Sequence, residues 1–316
     1  MTAATSHRLE GLEPDNLLAF MALLGLLRAL EAAGWRPRAH WEGQPFRPIL
    51  TLRETCTQDE IVEAAAKGCT TLAHDHDFDG EKDLNFDRER ARSMLEAAQQ
   101  ANLGGRSALL GSLFSDAALK DDGRIFAAPL CAMFGQGHQH FLNRLTEVPR
   151  GVLPRTMAKR RPLPDLNAPS YLAAALFTPW ARIDETDGFR WDPAEDRRYA
   201  LRFRNPSSDA GRTVHGANRL ASLGLAALKG AAVNRRRGIR FLTTGAEVAS
   251  DGALTIAWPI WDRPASLAAI QALLGHPSLV SAEGDGMRHL GVVERRRARR
   301  VSNGKFMNFT RAEVLE

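Results

Sequence analysis

Enzyme signatures are missing from this sequence of 316 residues. It holds no Walker loop, no dinucleotide-binding glycine fingerprint, no GxSxG and no HExxH. Their absence points to a non-enzymatic role. Cysteine is scarce: Cys56, Cys69 and Cys131 form no CxxC pair and no disulfide framework. A reducing, cytoplasmic setting is the default expectation. No apolar run reaches the roughly 18–20 residues of a membrane span. The nearest, Leu17 to Leu30, is broken by Gly25 and Arg28. A basic region followed by an apolar stretch and a small-residue cleavage site is also lacking, so no signal peptide is expected.

What is present is a balanced globular composition, 44% hydrophobic and 25% charged, with a formal charge of +5. The excess is unevenly placed. His74 to Asp87 is acidic, whereas Lys159-Arg160-Arg161, Arg235-Arg236-Arg237 and Arg295 to Arg300 are basic. Several such clusters fit a polyanion, and the preference for Arg over Lys suits forked phosphate contacts.

The periodicities predict an α+β chain of mixed helices and short antiparallel strands, in one large or two closely packed domains. Asp15 or Asn16 caps a buried helix through Leu30 that Gly34 ends. Ala39 to Leu52 reads as two strands turning at Gly43. Thr57 with Glu60 forms a capping box, and Asp87 starts a helix to Gln100. Gly104-Gly105 is expected to break the chain. Ile125 to Phe134 is apolar enough for a buried strand or helix, and Gly135 to Leu142 opens a helix. The region 1–148 is thus mostly helical. Residues 149–169, rich in Pro and basic residues, form an exposed connector, and 170–316 is an α+β region with a basic hairpin. In that region Arg240–Thr244 and Leu254–Trp258 read as a strand pair. Trp258 to Trp261 reads as a turn with inward rings, Ser266 as a helix cap, and Asn303-Gly304 as a hairpin turn before a return strand.

The stretch from Phe189 to Leu228 holds the densest polar set. Tyr199, Leu201 and Phe203 alternate with Arg198, Arg202 and Arg204, the period of a half-buried strand. Turn residues follow, and then Leu220, Leu223, Leu225 and Leu228 recur at roughly helical spacing. The helix start gathers Arg212, His215, Asn218 and Arg219, a set suited to phosphate.

A second constellation is His74, Asp75, His76, Asp77, Asp79 and Gly80. It matches the first half of a calcium loop, but Phe86 stands where the terminal Glu belongs. The cluster at 74–83 also has the groups of a metal-dependent nuclease without a recognised spacing.

Several stretches together, GLEPDNLLAFMALLGLLRALE, KDLNF, PLCAMFGQGHQHFL, RWDPAEDRRYALRFRNPSSD with HGANRLA, AWPIWDRPASL and NFTRAEV, resemble proteins of type I-G CRISPR–Cas loci. The resemblance implies a large-subunit-like or accessory subunit of a crRNA-guided, Cascade-like effector complex in prokaryotic antiviral defence. Its partners would be crRNA or target DNA, the other effector subunits and a separate helicase-nuclease, with no membrane involved. In such complexes the large subunit reads a short duplex motif beside the target while guide pairing reads sequence. The chain is short for a large subunit, and no catalytic motif or cofactor carries over.

The expected function is therefore a non-catalytic nucleic-acid-binding subunit. Arg202, Arg204, Arg212, His215, Arg219, Arg235, Arg236, Arg237, Arg295, Arg296, Arg297 and Lys305 would hold backbone. Asn218 or Gln136 would read a base edge, since amides pair well with adenine. The competing readings are the nuclease and a protein-interaction scaffold whose basic runs are merely solvated.

Overall fold

The computed structural model describes residues 5–133, 140–155, 157–195, 212–235, 238–281, 284–303 and 306–315. The chain is α+β, with eight α-helices and antiparallel sheets among these residues. None of the described helices is long and apolar enough to cross a membrane.

The first helix, α1 (Leu17–Ala32), is the centre of the molecule. Asn16 caps it by accepting the Leu18 N–H at 3.0 Å, and almost every side chain on it is buried. That burial fits its composition, apolar on all sides. Two close helix crossings need glycine. A Cβ on Gly25 would lie 1.8 Å from the Leu220 carbonyl oxygen, and one on Gly68 of α2 (Gln58–Leu72) would lie 1.9 Å from that of Ala29. The Leu220 carbonyl belongs to α7 (His215–Gly224), so α1 and α7 touch backbone to backbone.

A three-stranded antiparallel sheet precedes and follows α1, in the order β1 (Thr5–Arg8), β3 (Arg47–Leu52), β2 (Arg38–Glu42). The strand pair turning at Gly43, φ +88°, is as expected. The capping box of Thr57 and Glu60 on α2 is also present. So is the Asp87 cap of α3 (Arg88–Gln100). Gly104-Gly105 departs from expectation: it opens α4 (Gly104–Leu113). The glycine is explained by a neighbour, since a Cβ on Gly105 would lie 2.1 Å from an Asp75 carboxylate oxygen. Residues 125–133 form no strand or helix, although most are buried. The chain continues with α5 (Phe141–Glu147) and α6 (Pro169–Phe177).

Beyond α7, β4 (Gly230–Arg235) and β5 (Gly238–Thr243) form a separate two-stranded ribbon. This corrects the expected pairing of Arg240–Thr244 with Leu254–Trp258. The second of those segments lies in β7 (Leu254–Trp261), which pairs with β6 (Ala246–Val248) and β8 (Val292–Asn303). Trp258 to Trp261 is strand rather than turn. β6 ends opposite Leu254–Ile256, so Pro259 sits where β7 has a single partner strand, a position that tolerates proline. The rings do point inward: Trp258 stacks on Phe20 at 5.5 Å and Trp261 meets Trp41 edge-on at 6.2 Å. Their indole N–H groups donate to Pro14 and Ala39 carbonyls. Helix α8 (Leu267–Leu274), capped by Ser266, and strands β9 (Phe306–Phe309) and β10 (Glu313–Val314) complete the region. The β8–β9 hairpin matches the expected return strand. One buried core runs from Leu9 to Ala312, through both the region before the basic connector and the region after it.

Candidate nucleic-acid interface

The start of α7 is built by hydrogen bonds that the sequence does not advertise. Val214 occupies the cap position and offers no side-chain acceptor. Asp184 takes that role instead, its carboxylate accepting the His215 backbone N–H at 2.8 Å. The helix start expected to take phosphate thus already holds an anionic group. Burial raises the Asp184 pKa, and the His215 N–H opposes that rise.

The side chains of that first turn are likewise used internally. His215 is buried, with Nε2 3.0 Å from the Leu166 carbonyl oxygen. Burial drives its pKa down to about 4, so the ring is neutral. Asn218, fully buried, donates to Thr213 Oγ1 at 2.7 Å and accepts the Phe189 N–H at 3.2 Å. Arg219 is buried and donates to the Pro149 carbonyl at 3.1 Å. These three residues, expected to face a polyanion, instead fasten the connector and the Phe189 segment to α7. The difference has a physical reason. Helix α7 is wedged between α1, α6 and the connector, so its polar positions face protein rather than water.

The basic strand β8 needs a similar correction. Arg295 is buried, and its Nη1 donates to the carbonyls of Ser278 at 2.8 Å and Ser281 at 2.6 Å. Arg296 pairs with Glu294, Arg297 with Glu313 at 2.9 Å and Arg299 with Asp251 at 2.5 Å. Arg300 donates to the Pro129 carbonyl at 3.1 Å. The expected cationic ribbon is therefore largely satisfied by its own protein.

Of the basic clusters picked out in the sequence, two keep exposed cations outside ion pairs among the described residues. One is the ribbon β4–β5, whose tip carries Arg235, exposed and in no ion pair among the described residues. Arg240 anchors the ribbon by lying over the Phe126 ring at 4.4 Å. The other is the connector, where Arg155, Lys159, Arg160 and Arg161 are all exposed while Met157 and Leu166 are buried beneath them. Arg212 joins this second group, because Glu185 pairs with Arg160 through one oxygen and lies 3.9 Å from Arg212 through the other. In the sequence the connector charges and the acidic turn at 183–188 stand apart, and nothing there signals that Glu185 joins connector to α7. Arg202, Arg204, Arg236, Arg237, Lys305 and Gln136 lie outside the described residues.

The acidic cluster at 74–83 is dispersed. His76 is buried with Nδ1 2.8 Å from the Leu145 carbonyl oxygen, and burial lowers its pKa to about 3. Asp79 pairs with Arg106 at 2.7 Å, and Asp83 with His140 at 2.5 Å. Phe86, in the place of a calcium-binding Glu, packs edge-on against Phe114 at 5.1 Å. Among the described residues no three His, Cys, Asp or Glu side chains gather as metal ligands do.

No protein-family model matches the chain, and no curated protein matches it.

Proposed function

We propose that this chain is a non-catalytic nucleic-acid-binding protein, acting as a subunit of the kind of crRNA-guided effector complex that its sequence resembles. The observation that carries the reading is the exposed row Arg155, Lys159 and Arg161 on the connector, which no ion pair neutralises among the described residues. Exposed arginine and lysine without ion-pair partners can displace phosphate counterions, the main source of nucleic-acid affinity. The tip of the β4–β5 ribbon adds a second cationic point, and a two-stranded ribbon fits a nucleic-acid groove. The resemblance supplies the class of polyanion, crRNA or target DNA.

Fluorescence anisotropy with labelled single-stranded RNA and duplex DNA of mixed sequence tests this. Lys159→Glu combined with Arg161→Glu should weaken binding at least ten-fold and flatten its dependence on salt, by about 0.9 in log–log slope for each phosphate no longer neutralised. Arg235→Glu should do the same to a smaller degree. Because these side chains are exposed, unfolding midpoints should not move. Wild-type protein with no affinity at low salt, or variants with unaltered affinity and slope, would remove the reading.

A further inference from the structure

We infer that Glu185 is a positioning residue, holding Arg160 and Arg212 side by side as a clamp for one stretch of nucleic-acid phosphate. The inference rests on the nucleic-acid reading above and adds a role for an acidic residue within a basic site. Arg160 comes from the connector and Arg212 from the segment entering α7, and both guanidinium groups converge on the one carboxylate. The other acids of this turn are engaged elsewhere. Asp184 accepts the His215 N–H, and Asp187 pairs with Arg144 at 3.0 Å.

The exposures decide between two roles for Glu185. Its side chain is 26% exposed, against 48% for Arg160 and 64% for Arg212. The acid is the most enclosed of the three side chains, and both arginines stay more open to water. A screening acid would cover the cations, whereas this one leaves their outer edges in water. Each guanidinium has five N–H donors, and two carboxylate oxygens cannot consume them all. The remaining donors form the planar fork that matches a phosphate. A side chain already held loses less freedom when it binds, so Glu185 prepares both arginines for an anionic ligand. Lys159 and Arg161 next to Arg160 keep the local charge positive.

Charge counting and positioning give opposite signs. Removing a negative charge should tighten binding of a polyanion if Glu185 merely repels it. If Glu185 positions the clamp, Glu185→Gln should weaken binding several-fold and flatten the salt dependence. Arg160→Ala and Arg212→Ala should each lower the salt slope by about 0.9. Adding Glu185→Gln to the Arg160→Ala, Arg212→Ala double variant should cause no further loss. Tighter or unchanged binding by Glu185→Gln, or an unaltered slope in the double variant, would overturn the clamp. Wild-type protein that binds no nucleic acid would fail the functional reading itself, so the two failures are distinguishable.

Discussion

Asp184 holds the start of α7 at both Thr213 and His215. Its carboxylate accepts the His215 N–H at 2.8 Å, while its backbone exchanges two hydrogen bonds with Thr213, two residues earlier. One residue therefore fixes both the entry to α7 and the first turn of the helix. Asp184→Ala should cost about 1 kcal/mol, the usual value of a lost N-cap. Asp184→Asn keeps an acceptor oxygen and should cost less. Chemical denaturation of both variants measures the difference, and equal losses would show that charge rather than the hydrogen bond carries the effect.

The crossing of α1 and α7 sets helix propensity against packing at Gly25. Alanine in a helix interior is favoured over glycine by up to about 1 kcal/mol. Here the added methyl would lie 1.8 Å from the Leu220 carbonyl oxygen, a backbone atom that cannot swing aside. The clash should win. Gly25→Ala is expected to destabilise by about 2 kcal/mol or more, as overpacking does. Gly111 in α4 is the control, since nothing lies within 4 Å of its added Cβ. Gly111→Ala should stabilise by about 0.5–1 kcal/mol. Urea midpoints moving in opposite directions would bear this out.

Local signals were legible where the partner lay nearby in sequence. Asn16, Thr57 with Glu60, Asp87 and Ser266 cap the helices their spacing indicated, because a cap is satisfied within one turn. Asn303 pairs with Phe306 for the same reason. Strand partnership was legible less often. Arg240–Thr244 could pair forward or backward, and nothing local favoured β4. The candidate site was the least legible. His215, Asn218, Arg219 and Arg295 carry the residue types of a polyanion site, but their acceptors are carbonyls and side chains distant in sequence, such as Pro149 for Arg219. Composition cannot distinguish an arginine that faces water from one that ties two segments together.

Two buried histidines make the fold sensitive to acid. His76 has its pKa lowered to about 3 and His215 to about 4, in both cases chiefly by burial, against about 6.5 when unfolded. The unfolded chain therefore takes up protons that the folded chain refuses. Their stabilisation is complete above about pH 6.5 and is lost as pH falls toward 4, and further toward 3 for His76. Each histidine contributes up to about 1.4 kcal/mol per pH unit across its window. His215→Gln should flatten the stability curve between about pH 6.5 and 4 while leaving the His76 part of the slope. An unaltered slope would show that His215 is not the titrating group.

Glu195 should act in the opposite direction. It is half-buried, accepting the Thr213 hydroxyl and the Arg190 N–H at 3.0 Å, and desolvation raises its pKa. The folded state then holds a proton more firmly than the unfolded state does. Relative stability from this group is greatest below its unfolded value and declines as pH rises through the folded one. Glu195→Gln keeps an oxygen for the Arg190 N–H and removes the charge. It should raise the unfolding midpoint at pH 7 and have little effect near pH 4, a crossover that thermal melts at the two pH values would reveal.

Arg295 and Arg299 lie on one basic strand but should respond unequally to truncation. Arg299 is half exposed and pairs with an equally exposed Asp251, so its ion pair competes with water and salt. Arg299→Ala should change stability by less than about 1 kcal/mol. Arg295 is buried and donates to the carbonyls of Ser278 and Ser281, which flank the end of the short turn Pro277–Leu279. Removing it leaves acceptors without donors and a cavity beneath β8. Each orphaned group costs about 1–3 kcal/mol, so Arg295→Ala should lose about 3 kcal/mol or more. Arg295→Lys replaces the fork with a point charge and should recover only part of that. If nucleic-acid affinity also falls for Arg295→Ala in denaturation-checked, folded protein, while Arg299→Ala binds normally, the buried arginine would have to reach the ligand after all. Its hydrogen bonds to Ser278 and Ser281 point instead to loss of stability alone.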